Sequence, residues 1–153
     1  MCSLDQRKVD LIQNTSCFSP VLDIACGNNH YKPFFKRHVG LDLRNRKADI
    51  LADAHSLPFR SNIFKTLILF DIVEHSTNYG LILSEAARVA VNRATYLLST
   101  IYIEGDAVEG DMEHVHCYTP ELLKRALKRH GFKPKIKRDR DILYAVGKIV
   151  KTK

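Results

Sequence analysis

The sequence lacks the features of membrane-spanning and exported proteins. No apolar run approaches the ~20 residues that a membrane-spanning helix needs, and the N-terminal segment MCSLDQRKVD is too polar for a signal peptide. The cysteines form neither a CxxC pair nor a zinc-finger spacing. We therefore expect a cytoplasmic protein that has reduced thiols and no association with a membrane.

The overall composition is that of a folded globular chain. Hydrophobic residues make up 45% and charged residues 27% of the 153 residues, which excludes a disordered or fibrous protein. This length is sufficient for one compact domain. We therefore expect a single domain over residues 1–153, with a leading helix in 1–19 and a core in 20–153.

Positive charge is concentrated near the C-terminus. Residues 1–120 contain 12 basic and 14 acidic side chains, whereas residues 121–153 contain 12 basic and 3 acidic side chains. Such a basic segment can attract phosphate-rich partners. Exposed lysines and arginines on a last helix and on an edge hairpin also prevent sheet edges from pairing. The second interpretation is preferred, so nucleic acid is a less favoured partner.

Apolar periodicity predicts helices and strands in alternation. Helices are predicted over 4–14, over 78–91 and between Thr119, as N-cap, and Gly131, and residues 31–37 admit a short helix. Strands are predicted over 20–25, 38–43, 48–53, 64–70 and 95–102, followed by a hairpin of 133–139 and 142–150. This order predicts an α/β fold with a mostly parallel sheet and helices on both faces.

Small and acidic residues follow the ends of the first four predicted strands, where sheets of this kind bind ligands. These ends are DIACGNN (23–29), Asp42, DAHSLPF (53–59) and FDIVEH (70–75). Asp42 follows Asp23 at about the ~20-residue offset at which an acidic residue binds a ribose diol. A nicotinamide dinucleotide is disfavoured, because its GxGxxG motif needs three glycines and this loop has one.

These segments resemble the class I S-adenosylmethionine-dependent methyltransferases, in particular the small methyltransferase-11-type domain. The matching segments, in the order and spacing of the family, are VLDIACGNNHY (21–31), VGLDL (39–43), ADAHSLPF (52–59), DIVEH (71–75) and the late segment 114–132. The resemblance implies a Rossmann-like, doubly wound, mostly parallel seven-stranded sheet with a C-terminal antiparallel hairpin. It also implies methyl transfer from S-adenosylmethionine to an oxygen or nitrogen atom, with a small molecule as the favoured acceptor.

The resemblance implies roles for the residues after the first two strands. Asp23 would orient the methionine amino group, while Ala25 and Gly27 would present backbone atoms to the cofactor. Asp42 would hold both ribose hydroxyls. Ala25 and Asn29 stand where the family has glycines; because asparagine tolerates a left-handed backbone, we expect the loop to form.

The residues after the third and fourth strands would hold the base and line the methyl-transfer pocket. By resemblance, Asp53 would accept a hydrogen bond from the adenine amino group and the Ala54 amide would donate to the ring. Leu57 would pack on the base, and Phe70 would lie near the sulfonium. Asp49 lies outside these motifs, and we expect it to have no part in cofactor binding.

Histidines are the predicted catalytic groups, because an imidazole ordinarily titrates near neutrality and can move a proton. The candidates are His75 and His114, together with His116, two residues after His114. Asp71, Glu74, His75 and His114 also resemble the metal ligands of small-RNA 3′-end 2′-O-methyltransferases. A metal-assisted RNA methyltransferase is therefore an alternative, although no metal site is predicted.

A second alternative is a non-catalytic protein of this fold that binds or activates a partner enzyme. The altered glycine loop, the short chain and the lack of an evident substrate cap motivate this hypothesis. The fold and the cofactor site do not specify the methyl acceptor.

Overall fold

A computed structural model of the protein describes residues 5–102 and 116–151. In this part of the chain, one sheet is formed by β1 (Val21–Ile24), β2 (His38–Asp42), β3 (Ile50–Leu51), β4 (Phe64–Phe70), β5 (Ala90–Ile101), β6 (Phe132–Asp139) and β7 (Ile142–Ile149). The spatial order is β3-β2-β1-β4-β5-β7-β6. Strands β1 to β5 pair in parallel, and β7 runs antiparallel to β5 and β6. The predicted seven-stranded sheet with a C-terminal antiparallel hairpin is confirmed.

The helices of the described chain begin at side-chain caps. They are α1 (Gln6–Gln13), α2 (Tyr79–Val89) and α3 (Pro120–Arg129). Asp5, Asn78 and Thr119 each accept a hydrogen bond from a backbone amide in the first turn, which satisfies donors that the helix leaves unpaired. The predicted Thr119 cap is therefore confirmed.

Helices cover both faces of the sheet, as the sequence predicts. Leu22 and Ile24 of β1 pack in the larger core beneath α2 and α3. Val21, on the opposite face, packs in a smaller cluster with Ile12 of α1, since successive side chains of a strand alternate between faces. This second face is thinly covered, because the connection between β1 and β2 contains only a 3₁₀ turn over Lys32–Phe34.

The predicted boundaries differ most from the observed ones at β3 and β5, the outermost strands of the parallel region. Strand β3 has two residues where 48–53 was predicted, because it is the sheet edge and only Leu41 and Asp42 pair with it. Strand β5 begins at Ala90 rather than at 95, since Phe64 pairs with Ala90 before a register shift. No helix among the described residues is long and apolar enough to cross a membrane.

Candidate functional site

A cavity with a volume of about 190 Å³ lies at the carboxyl ends of β1, β2 and β3. Ligand pockets usually measure roughly 300–1,000 Å³, so this cavity suits part of a cofactor-sized ligand. Four of the residues predicted to bind cofactor line it: Ala25, Asp42, Asp53 and Ala54. The rest of the wall is formed by Leu41, Leu43, Ala52, His55, Ile72, His75, Ser76 and Ile82.

The loop after β1 has the backbone conformation of a glycine-rich loop. Ala25, Gly27 and Asn29 have φ angles of 61°, 52° and 60°. Glycine adopts this left-handed region freely and asparagine tolerates it, which confirms that Asn29 permits the loop to form. Ala25 has no such tolerance, and its conformation costs about 1–2 kcal/mol.

Asp42 ties this loop to the end of β2. Its Oδ2 accepts a hydrogen bond from the Gly27 amide at 3.0 Å, and its Oδ1 accepts from the Arg44 and Asn45 amides at 3.0 and 2.9 Å. Burial opposes ionisation, but the backbone hydrogen bonds outweigh it and lower the pKa of Asp42. A carboxylate has about four acceptor positions, so these three amides leave Asp42 one position for a single ribose hydroxyl.

Asp49 lies outside the wall of the cavity and supports the loop after β1. Its Oδ2 accepts from the Gly40 amide at 2.9 Å and from Asn29 Nδ2 at 3.3 Å, and it pairs with Lys32. These contacts fasten the loop after β1 onto β2, where a Cβ on Gly40 would lie 2.4 Å from Asn29 Oδ1. The glycine of VGLDL is the sequence signal that could have revealed this close approach.

A chain of hydrogen bonds runs along the wall of the cavity from Asp53 through His55 to Ser76. Asp53 Oδ1 accepts from the His55 amide at 2.8 Å and lies 2.7 Å from His55 Nδ1. His55 Nε2 lies 2.8 Å from Ser76 Oγ. The backbone and side-chain hydrogen bonds from His55 lower the pKa of Asp53, whose side chain is 54% exposed. His55 and Ser76 were not among the predicted site residues.

Asp23 does not line the cavity. The residue is 2% exposed, and its Oδ2 is 3.5 Å from His38 Nε2. Burial raises the pKa of Asp23, although the nearby His38 opposes the shift. The His38 ring stacks on Phe35 with centroids 5.7 Å apart. The proposed contact of Asp23 with the methionine amino group stays a prediction.

Phe70 faces α1, on the other side of the sheet from the core beneath α2. Its ring lies 5.2 Å from that of Tyr31 and 5.6 Å from Lys8 Nζ. The next residue, Asp71, forms an ion pair with Lys8 and accepts a hydrogen bond from Ser99 Oγ at 2.6 Å. Phe70 and Asp71 therefore form a second region at the same edge of the sheet.

Leu57 is 4% exposed and lies in the main core, outside the wall of the cavity. Its amide donates to Glu85 Oε2 at 2.8 Å, and its carbonyl accepts from Arg88 at 3.0 Å. Ile72 and Ile82 provide the apolar wall at the cavity instead. Packing of Leu57 on an adenine base stays a prediction.

Two of the predicted histidines, His75 and His116, lie among the described residues. His75 lines the cavity. The ring of His116 packs against Tyr79, with centroids 5.1 Å apart, and its amide donates to the Glu74 carbonyl at 3.2 Å. His114 lies outside the described residues. The catalytic roles of His75 and His114 therefore stay predictions.

The carboxylates considered as metal ligands point to other partners. Glu74 is buried and accepts a hydrogen bond from Thr100 Oγ1 at 2.9 Å, and burial raises its pKa. Asp71 is paired with Lys8. Within 5–102 and 116–151, no group of three or more His, Cys, Asp or Glu is arranged to hold a metal ion.

Several solved structures share this fold. A chain of the complex between the Haloferax volcanii Trm112 methyltransferase activator and a methyltransferase matches with a TM-score of 0.81 and 13% identity, covering 95% of this chain and 89% of the other. A methyltransferase from Bacillus halodurans C-125 matches with a TM-score of 0.80 and 17% identity, covering 96% of this chain and 100% of the other.

A third neighbour was solved with ligands. It is the Burkholderia thailandensis 1,6-didemethyltoxoflavin-N1-methyltransferase with bound 1,6-didemethyltoxoflavin and S-adenosylhomocysteine. The match has a TM-score of 0.73 and 13% identity, and it covers 95% of this chain and 84% of the other. No family model and no curated protein matches the chain. Identities this low establish the fold alone: the chain has the Rossmann-like fold of methyltransferases.

Proposed function

We propose that the protein transfers a methyl group from S-adenosylmethionine to an oxygen or nitrogen atom of a small molecule. The observation that carries this proposal is the cavity, where the carboxylates of Asp42 and Asp53 follow adjacent strands. Both carboxylates have lowered pKa values and are therefore charged at neutral pH. Charged acceptors at this edge suit the hydroxyl and amino donors of an adenosine group.

The wall of the cavity fits the adenosine part of the cofactor. Asp42 would accept from one ribose hydroxyl at its remaining acceptor position, and Asp53 would accept from the amino group of the base, beside the Ala54 amide. Ile72 and Ile82 offer apolar surface to the faces of the base. The cofactor would supply an already activated methyl group.

The chain would then contribute alignment and, where the acceptor requires it, proton removal. Holding an acceptor in line with the methyl group replaces an encounter in solution by a step within one complex. His75 lines the cavity and is the described candidate for taking a proton. His114 is the second candidate, and a cytoplasmic location is part of the same proposal.

A second candidate function is that of a binding or activating partner without methyl transfer. The strained Ala25 at the first glycine position favours it, because the loop that faces the cofactor is altered there. The fold neighbour from Haloferax volcanii was solved with an activator protein. Retained cofactor binding without methyl transfer, together with stable co-purification of a larger enzyme, would support this alternative.

Isothermal titration calorimetry with S-adenosylhomocysteine tests the main proposal. We expect the wild-type protein to bind S-adenosylhomocysteine. Asp53→Asn should lower the affinity by about 10- to 100-fold, since a hydrogen bond to a charged group contributes about 1.5–3 kcal/mol. Asp141→Asn is the matched control, because Asp141 is exposed in the turn between β6 and β7. Absence of binding at millimolar ligand would refute the proposal, and equal affinities of all three proteins would remove the role of Asp53.

A further inference from the structure

Helix α1 brings a buried lysine to the edge of the sheet. Lys8 has a side chain only 9% exposed, and its ammonium group pairs with Asp71 and lies 5.6 Å from the centre of the Phe70 ring. The other buried residues of α1, Val9 and Ile12, are apolar. Removing an ammonium group from water costs several kcal/mol unless a partner compensates. Asp71 and Phe70 therefore form an environment that accepts an ammonium group.

The carboxylate of Asp71 is fixed by contacts that do not involve Lys8. Asp71 has a φ angle of 51°, in the left-handed region that aspartate tolerates better than most residues do. Ser99 Oγ donates to Asp71 Oδ1 at 2.6 Å, and the Asp71 amide donates to the Ser99 carbonyl at 3.0 Å. The carboxylate is thus held in place by β5 before any cation reaches it.

This ammonium environment and the proposed cofactor cavity lie at the end of the same strand, on opposite sides of the sheet. Asp71 immediately precedes Ile72, which lines the cavity, and His75 lines it a few residues later. Phe70 is the last residue of β4, so its ring and the Asp71 carboxylate lie at the carboxyl edge of the sheet on the side of α1. A group bound there would lie beside a ligand that extends from the cavity across the end of β4.

We infer that Asp71 and Phe70 form the subsite for the methyl acceptor, that this acceptor is an amine, and that Lys8 fills the subsite until the acceptor binds. The inference rests on the proposed function and narrows its acceptor from oxygen or nitrogen to an amine. A carboxylate next to an aromatic face matches an ammonium ion in charge and in quadrupole. A neutral hydroxyl would use neither feature fully.

The chemistry balances with these groups. The bound ammonium ion gives one proton to the Asp71 carboxylate, which passes it to solvent. The freed nitrogen lone pair forms the new bond to the methyl carbon, and the bond between that carbon and sulfur breaks with its electron pair left on sulfur. The positive charge of the sulfonium passes to the nitrogen, so the products are an N-methylammonium ion and neutral S-adenosylhomocysteine.

A chemical rescue experiment tests the subsite without cofactor. Lys8→Ala removes three carbons and the ammonium group, which together are propylammonium. We expect about 100 mM propylammonium chloride to raise the melting temperature of Lys8→Ala by about 3 °C, on the assumption of weak, millimolar binding. Propanol, its neutral analogue, should not do so, and the double variant Lys8→Ala/Asp71→Asn should not respond. An equal effect of propanol, or no effect of propylammonium, overturns the inference.

Lys148→Ala is the matched control. Lys148 Nζ also lies near an aromatic ring, 5.7 Å from the centre of Phe18, but its described partner is Thr95 Oγ1 at 2.7 Å rather than a carboxylate. Its variant should show no rescue. A similar rescue of both variants would show a general effect of the amine and would overturn the inference.

The wild-type protein provides a second measurement, which holds if Lys8→Ala does not fold. Because Lys8 occupies the acceptor subsite, incubation with methyl-labelled S-adenosylmethionine should add one labelled methyl group to Lys8, detected by peptide mapping in a mass spectrometer. An unmodified Lys8 in protein that binds S-adenosylhomocysteine overturns the inference alone. Failure to bind S-adenosylhomocysteine refutes the proposed function, whereas the cofactor-free rescue still reports on the subsite.

Discussion

Replacement of Ala25 by glycine should stabilise the protein, although this change usually has the opposite effect. Ala25 has a φ angle of 61°, in the left-handed region that favours glycine. The strain of this conformation is about 1–2 kcal/mol. Glycine would adopt the same backbone without the strain.

The net gain is smaller than the strain, because glycine also makes the unfolded chain more flexible. That effect costs about 0.4–1 kcal/mol. We therefore expect the free energy of unfolding of Ala25→Gly to exceed that of the wild type by about 0.8 kcal/mol, the difference between the middle values of the two effects, which corresponds to a rise in melting temperature of about 2–3 °C. Urea titration and thermal denaturation followed by circular dichroism measure both quantities.

Ala54→Gly is the matched control for this change. Ala54 lines the same cavity and is partly buried against the same core, but it is not among the described residues with a positive φ. It should lose about 0.4–1 kcal/mol of stability. Since both variants share the effect on the unfolded chain, their difference isolates the strain at Ala25. Equal destabilisation of the two variants would refute the reasoning.

Three further changes test the site and its support. Asp42→Asn should lower the free energy of unfolding by about 2 kcal/mol in a urea titration, because the carboxylate accepts backbone hydrogen bonds that one amide oxygen cannot replace; unchanged stability would contradict this. Burial raises the pKa of Glu74, so the native state loses stability as pH rises above the ordinary value of 4.5. Glu74→Gln keeps an acceptor for Thr100 but cannot ionise. The melting temperature of the variant minus that of the wild type should therefore be larger at pH 8 than at pH 4, and an equal difference at the two pH values would contradict this prediction. Gly40→Ala should lower the free energy of unfolding by about 1–3 kcal/mol and weaken S-adenosylhomocysteine binding, because its Cβ would lie 2.4 Å from Asn29 Oδ1. Wild-type stability and affinity in this variant would show that the loop moves to accommodate the Cβ.

The sequence pattern predicted the elements whose structure depends on local signals. The apolar run 64–70 coincides with β4, and the Thr119 cap begins α3. The two-residue β3 was predicted too long, because an apolar segment within 48–53 indicates a strand whether or not a neighbouring strand pairs with all of it. Only the pairing with β2 limits the strand to Ile50 and Leu51.

The site was predictable where the strand ends carry it and not where distant segments meet. Asp42 and Asp53 line the cavity because parallel strands bring their carboxyl ends together. Lys8 lies in the predicted helix over 4–14, and its partner Asp71 comes 63 residues later in the chain. Ser76 reaches His55 across 21 residues. Neither contact has a signal in the spacing of neighbouring residues.

The thin cover on one face of the sheet links the two parts of the site. The β1–β2 connection has about the dozen residues that a parallel crossover needs, and it uses them for the left-handed loop and a 3₁₀ turn instead of an α-helix. Tyr31, from this connection, packs against Phe70, while α1 covers the remainder of the face and carries Lys8. The same short segment therefore shapes the cavity through Ala25 and supports the Phe70 ring through Tyr31. A change that displaces this loop should disturb both the proposed cofactor cavity and the ammonium subsite, even though they lie on opposite sides of the sheet edge.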